Sequence, residues 1–227
     1  MSFDLGATLR RLKPEKRTGQ LTRRGDSELP FVGEEAIAGP GVLLDTTVYV
    51  DLLQDRLPAE VERLFDSRML NHSAVALAEL VHLFGRLDPA HPGTARTLAP
   101  IRAAIEQIPP YRLTAPSTQA LAEAGIITGM VARMVGVART DRQPLLNDAT
   151  LFVQALESGF TLLSGNVADM DLIGQLQPHT PARFVSVTME QALTARHDRE
   201  ALLNKLRQSL EPKATFSLSG PVSARPG

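Results

Sequence analysis

Short apolar runs alternate along this chain with longer segments whose apolar residues recur at helical spacing, and the alternation begins only near residue 40. Val42-Leu43-Leu44 predicts a buried strand ending at Asp45, and Thr46 to Leu53 predicts the helix that follows. Pro58 stands where a helix starts, with Val61, Leu64 and Phe65 on its apolar side. A second strand is expected near Met69 to His72, then a helix over 74–86 that Ser73 caps. Pro92-Gly93 opens a further helix carrying Leu98, Ile101, Ile105 and Ile108 despite Pro100, and Pro109-Pro110 ends it. Tyr111 to Leu113 reads as a third strand, Ser117 caps a helix to about Ala138, and Asn147 or Asp148 starts one ending at Gly159. Phe160 to Leu163 and Phe184 to Val187 predict strands four and five, and a last helix is expected over 189–210. Short apolar strands alternating with helices of several turns imply a parallel sheet covered on both faces, a three-layer α/β fold. Such sheets bind ligands beyond the carboxyl ends of their strands, so the residues just after strands one and four are the first to question.

The flanks differ from this body. Residues 1–39 are polar and rich in glycine turn signals, and read as a flexible extension; residues 40–210 form the domain and 211–227 a loose tail. The extension's stretch from Arg10 to Arg24 is cationic, with Arg10, Arg11, Lys13, Lys16, Arg17, Arg23 and Arg24 opposed within that stretch only by Glu15. The whole chain is nearly neutral, with 24 Lys and Arg against 25 Asp and Glu and a net charge of −1, so any pull on a polyanion is local. A chain of 227 residues that is 43% hydrophobic and 22% charged can build one core, which excludes wholesale disorder. It has no cysteine, which removes zinc-finger, iron–sulfur, thiol-nucleophile and disulfide-scaffold chemistry together. The longest weakly polar stretch, Leu121 to Ala138, carries Glu123 and Arg133, so no membrane span is expected. Asp4 and Arg10 interrupt the N-terminus before any signal-like apolar run forms, and a cytoplasmic location is expected.

Phosphate-loop, dinucleotide, nucleophile-elbow and zinc-protease motifs are missing. What recurs is a carboxylate or carboxamide after a strand or at a helix start. Asp45 fits a helix cap as well as a ligand, and Asn166 with Asp169 fits a capping box. Asp148 falls inside the apolar arc of Leu151, Phe152, Ala155 and Leu156, so it must be paired or strongly hydrogen-bonded. Glu79 falls opposite Leu77, Leu80, Val81 and Phe84, near His82 and Arg86, where a solvated side chain is expected.

In order along the chain, Leu43-Leu44-Asp45-Thr46-Thr47-Val48-Tyr49-Val50-Asp51, His72-Ser73-Ala74-Val75-Ala76-Leu77-Ala78-Glu79-Leu80, Asn147-Asp148-Ala149-Thr150 with Ala155 to Gly159, and Thr161 to Met170 resemble the motifs of PIN-domain nucleases. The likeness is nearest to the VapC-like ribonuclease toxins of bacterial toxin–antitoxin pairs and covers about residues 41–187. It implies a PIN-like α/β/α sandwich with strand order 3-2-1-4-5, and a Mg²⁺- or Mn²⁺-dependent endoribonuclease whose partners are RNA, an antitoxin protein and a second copy of the chain. Position by position, Asp45, Glu79 and Asp148 match the family's three principal acids, the expected metal ligands, and Asp169 matches a further acid. Asn166 falls where a fourth acid or an Asn is usual, Thr47 at a small-hydroxyl position, and Ser164 where Thr is commoner. An Asn at 166 removes one negative charge and bears on whether a second metal binds. Oxygen-only ligands suit these hard ions, and converging carboxylates repel by about 4 kcal/mol per pair at ~4 Å unless something positive joins them. The cationic extension is a candidate contact to the RNA backbone. Two other functions remain open: a phosphatase with Asp45 as nucleophile, although Thr47 stands where such enzymes commonly place an acid, and an RNA- or protein-binding module of the same fold without turnover.

Overall fold

A computed structural model describes residues 3–33, 38–136, 142–177 and 182–184. Five strands, β1 (Val42–Leu44), β2 (Leu70–Ser73), β3 (Leu113–Thr114), β4 (Thr161–Ser164) and β5 (Ala182–Phe184), alternate with helices. The helices are α1 (Leu5–Leu12), α2 (Thr46–Leu53), α3 (Ala59–Ser67), α4 (Ala74–Arg86), α5 (Thr94–Glu106), α6 (Thr118–Val131), α7 (Arg142–Ser158) and α8 (Val167–Leu176). The sheet is parallel throughout, in the order β3-β2-β1-β4, with the three-residue β5 continuing it beside β4. Every residue of β1 is buried, and so are both Leu162 and Leu163 of β4. That is why these strands read as unbroken apolar runs: both faces are covered, so no position alternates to water.

Strand order reverses between β1 and β4, where Val42 lies level with Thr161 and Leu44 with Leu163. The chain leaves β1 at Asp45, whose amide still bonds Leu163 O at 3.0 Å, and leaves β4 at Ser164. Asp45 and the β4–α8 turn therefore flank one crevice by topology alone.

Most boundaries match the sequence pattern to within one or two residues, and the differences have local causes. The third strand shrinks to Leu113–Thr114 because Pro110 to Arg112 close into a single 3₁₀ turn. Helix α6 ends at Val131 and continues as a π-helical turn over Ala132–Gly136. Helix α7 starts at Arg142, not at Asn147 or Asp148. Pro144 sits in its first turn, where the missing N–H has no acceptor to lose, so proline there does not delay the start. Gly159 takes the left-handed conformation, φ 66°, that ends the same helix. Val185 to Val187 of the expected fifth strand, the helix expected over 189–210 and the tail 211–227 lie outside the described residues. Among the described residues no helix is long and apolar enough to cross a membrane.

The largest correction concerns residues 1–39, expected as an extension outside the core. Leu12, Leu21 and Leu29 are buried in the main apolar cluster. Asp4 caps α1 by accepting from Ala7 N at 2.9 Å, and Thr8 accepts from Gln119 Nε2 at 2.8 Å. Leu21 N bonds Met134 O, and Gln175 Nε2 bonds Thr22 O at 2.9 Å. Phe31 then pairs in parallel with Phe184, so the segment covers the open edge of β5. Its apolar anchors are eight or nine residues apart, a spacing that matches neither helical nor strand periodicity.

Candidate active site

Asp45 is both cap and hub. As N-cap of α2 it accepts from Thr46 N at 2.6 Å through Oδ1. Its Oδ2 accepts from Thr47 Oγ1 at 2.7 Å and from Ser164 Oγ at 2.5 Å. A hydroxyl has one proton to donate, and both residues direct it to this oxygen. Each then accepts a backbone amide from the opposite turn, Gly165 N on Thr47 Oγ1 at 2.8 Å and Asn166 N on Ser164 Oγ at 2.9 Å. Thr47 and Ser164 thus stitch the two strand ends together around one carboxylate. Burial pushes the Asp45 pKa up, the three donors oppose that, and the nearby Glu79 charge adds to it.

Asp148, inside α7 rather than at its N-terminus, lacks the helix-end amides that would have stabilised its charge. Asn166 Nδ2 donates to its Oδ2 at 2.8 Å and also to Asp169 Oδ2 at 3.0 Å. Burial first, then the charges of Asp45, Asp169 and Glu79, push the Asp148 pKa up to about 8. Asn166 Oδ1 meanwhile faces Asp169 N at 3.4 Å, capping α8. The capping and site roles of Asn166 are therefore held by one side chain. An Asp at 166 would replace a donor that bridges two carboxylates with a further acceptor.

Glu79 is not the solvated residue its wheel position suggested. Its carboxylate accepts from Thr46 Oγ1 on α2 and from Asn147 Nδ2 on α7, the latter at 2.6 Å. Gln143 Nε2 in turn donates to Asn147 Oδ1 at 3.0 Å. The buried residues of α4 are Ala76 and Leu80, while Val81 is 44% exposed. The inward stripe runs through Ala76, Leu80, Leu83 and Phe84 with Glu79 half-buried beside it, and differs from the one that hydropathy drew in taking Leu83 and leaving Val81 outside. His82 is exposed. Thr46 and Asn147 are site residues that sequence reasoning left out; each adjoins a named acid, and at a helix start such neighbours read as caps. Behind Asp45, buried Tyr49 hydrogen-bonds His72 Nδ1, and burial lowers the His72 pKa to about 4, so the imidazole is neutral.

Asp45, Glu79, Asp148 and Asp169 come from four elements, and among the described residues none forms an ion pair with Lys, Arg or His. Hydroxyls, carboxamides and the proton that Asp148 retains are what offset their charge. An all-oxygen donor set with surplus negative charge fits a hard divalent ion. The side chains are tied to one another, however, and among the described residues no three acids or histidines stand as a ready ligand set.

The seven basic residues of the extension do not act alike. Arg11 meets Glu123, which also bonds Gln177, and Arg24 grips Asp171 with Nε–Oδ1 at 2.7 Å. Arg23 pairs with exposed Asp26. Arg10, Lys13, Lys16 and Arg17 form no ion pair with a described residue. No protein-family model matches the chain, and no curated protein is significantly similar to it.

Proposed function

We propose that this protein is a metal-dependent endoribonuclease of PIN type, acting as the toxin of a toxin–antitoxin pair. The observation that carries this reading is electrostatic: at the point where strand order reverses, buried Asp45 and Asp148 have their proton affinity raised by burial and by neighbouring carboxylates, Glu79 for both and also Asp45 and Asp169 for Asp148, and among the described residues no cation pairs with them. Asp45 and Asp148 are the residues to hold Mg²⁺ or Mn²⁺, with Glu79 reaching the ion or its water. A divalent ion held there would supply Lewis acidity toward a phosphoryl oxygen and the attacking water. Asn166 and Asp169 orient that water, and Thr47 and Ser164 keep the Asp45 carboxylate from rotating away. Water adds to phosphorus as the bond to the leaving ribose oxygen breaks, and the proton released passes to an acid of the cluster. Because Asp148 must give up its proton to become a ligand, metal affinity rises as pH passes about 8.

The test is cleavage of single-stranded RNA by the purified chain. Activity is expected with Mn²⁺, none with chelator, and a loss of most of it in Asp45→Asn. Undiminished cleavage by both Asp45→Asn and Asp148→Asn would remove the mechanism. A binding module without turnover has one observation in its favour, the hydrogen bonds that tie the acids to each other. Calorimetric titration with Mn²⁺ separates the two, since that module would take up no ion. A phosphatase using Asp45 as nucleophile is disfavoured, because Thr47 stands two residues on, where such enzymes commonly place an acid, and its hydroxyl is spent on Asp45 itself.

A further inference from the structure

Arg11 and Arg24 are committed to buried acids, which leaves Arg10, Lys13, Lys16 and Arg17 without an ion pair among the described residues, the last three over one short stretch of chain. Lys13 turns that stretch by taking the left-handed conformation, φ 49° and ψ 53°, at the end of α1, and Pro14–Lys16 form one 3₁₀ turn. Arg133 fastens the turn from below, its Nη2 donating to Pro14 O at 2.8 Å and to Arg17 O at 2.9 Å. Carbonyls satisfy a guanidinium's protons without cancelling its charge, so Arg133 adds a fourth positive group. Glu15 is the one carboxylate within the turn, and Asp26, farther along, is paired with Arg23.

Position gives this patch its meaning. Ser117 at the start of α6 bonds Glu157 near the end of α7, so the two helices run antiparallel and the end of α6, with Arg133, lies beside the start of α7. Asn147 and Asp148 lie about one and a half turns further along α7. From the patch the chain continues through the Leu21–Met134 bond to Asp171, two residues past Asp169. The turn therefore lies toward the end of the α6–α7 pair nearer Asn147 and Asp148, and the chain beyond it runs on to α8, the helix that also carries Asp169. Acids that repel one another also repel a phosphodiester, and a net charge of −1 supplies no long-range pull.

We infer that Lys13, Lys16, Arg17 and Arg133 form a docking track for the phosphate backbone of single-stranded RNA, holding it beside the acid cluster; the inference rests on the ribonuclease reading. The chain has two tyrosines and no tryptophan, so the track grips backbone charge rather than stacked bases.

The experiment is fluorescence anisotropy of a labelled, mixed-sequence single-stranded RNA with the full chain, in chelator, over a range of KCl concentrations. For Lys13→Gln/Lys16→Gln/Arg17→Gln the slope of log affinity against log salt is expected to shrink by about 2, near 0.7 for each lost contact, with the melting temperature unchanged. Arg86→Gln/Arg96→Gln/Arg102→Gln removes the same charge from α4 and α5 and is expected to leave the slope alone. A wild-type slope in the first variant, or an equal loss in the second, overturns the track. RNA binding with the expected slopes but no cleavage in Mn²⁺ keeps the track and removes the ribonuclease. Cleavage together with an unaltered slope does the reverse.

Discussion

Asp148→Asn is expected to cut RNA cleavage at least about a hundredfold and, in chelator, to make the protein more stable at neutral and alkaline pH. The two effects share one cause. The carboxyl's ordinary pKa is 3.8 and in the folded protein it is about 8, because burial and the charges of Asp45, Asp169 and Glu79 disfavour the anion. Between those values the folded chain holds a proton that the unfolded chain has released. Stability is therefore full below about pH 4 and is lost as pH rises through about 8. Asp45, shifted in the same direction, adds to the trend. A contribution on the order of a few kcal/mol corresponds to roughly 5–10 °C for a domain of this size. Melting by circular dichroism from pH 5 to pH 9 should show a falling profile for wild type and a flatter one for the variant. Equal steepness in both would place the titration on another group. Saturating Mn²⁺ should restore wild type selectively, by about 2.7 kcal/mol at a hundredfold excess over the dissociation constant.

Arg24→Ala is expected to cost about 2–3 kcal/mol in urea unfolding. Asp171 is fully buried and loses its charge partner, while Arg24 N at 2.8 Å and Gln175 Nε2 at 3.0 Å remain, and the guanidinium's own exposure of 41% moderates the loss. Adding Asp171→Asn should recover most of it, since the neutral amide no longer needs a cation. No recovery in the double variant would show that packing, not charge, is what Arg24 supplies. Removing residues 1–38 entirely strips the arginine partners from Glu123 and Asp171 at once and uncovers the sites of Leu12, Leu21 and Leu29. That deletion is therefore expected to unfold the protein, and point variants are the proper probe of the arm.

The strands and the acids after them were legible because each is a local statement: Val42-Leu43-Leu44 is apolar without a break, and Asp45 follows it. The arm was not, since Leu12, Leu21 and Leu29 are scattered apolar residues whose burial depends on elements far along the chain, from α6 onward. Glu79 was misplaced for a similar reason. A hydropathy wheel treats every carboxylate as seeking water, whereas this one is satisfied by Thr46 and Asn147 from other elements. Asp148 was placed inside the apolar arc correctly, but the early start of α7 moved it away from the helix-end amides offered as its partners. A one-residue window can read a cap or a strand end; it cannot read a hydrogen bond whose donor lies on another helix.

The edge closure by Phe31 on Phe184 reverses the order in which the chain is made. Arg11, Arg24 and Phe31 leave the ribosome early, yet Glu123, Asp171 and Phe184 emerge only after most of the chain has been synthesised. Such long sequence separation slows folding and prolongs the time that unpaired strand edges stay exposed. Phe31 thus cannot take its place until Phe184 has emerged, and a nascent chain stalled before Phe184 keeps that segment undocked.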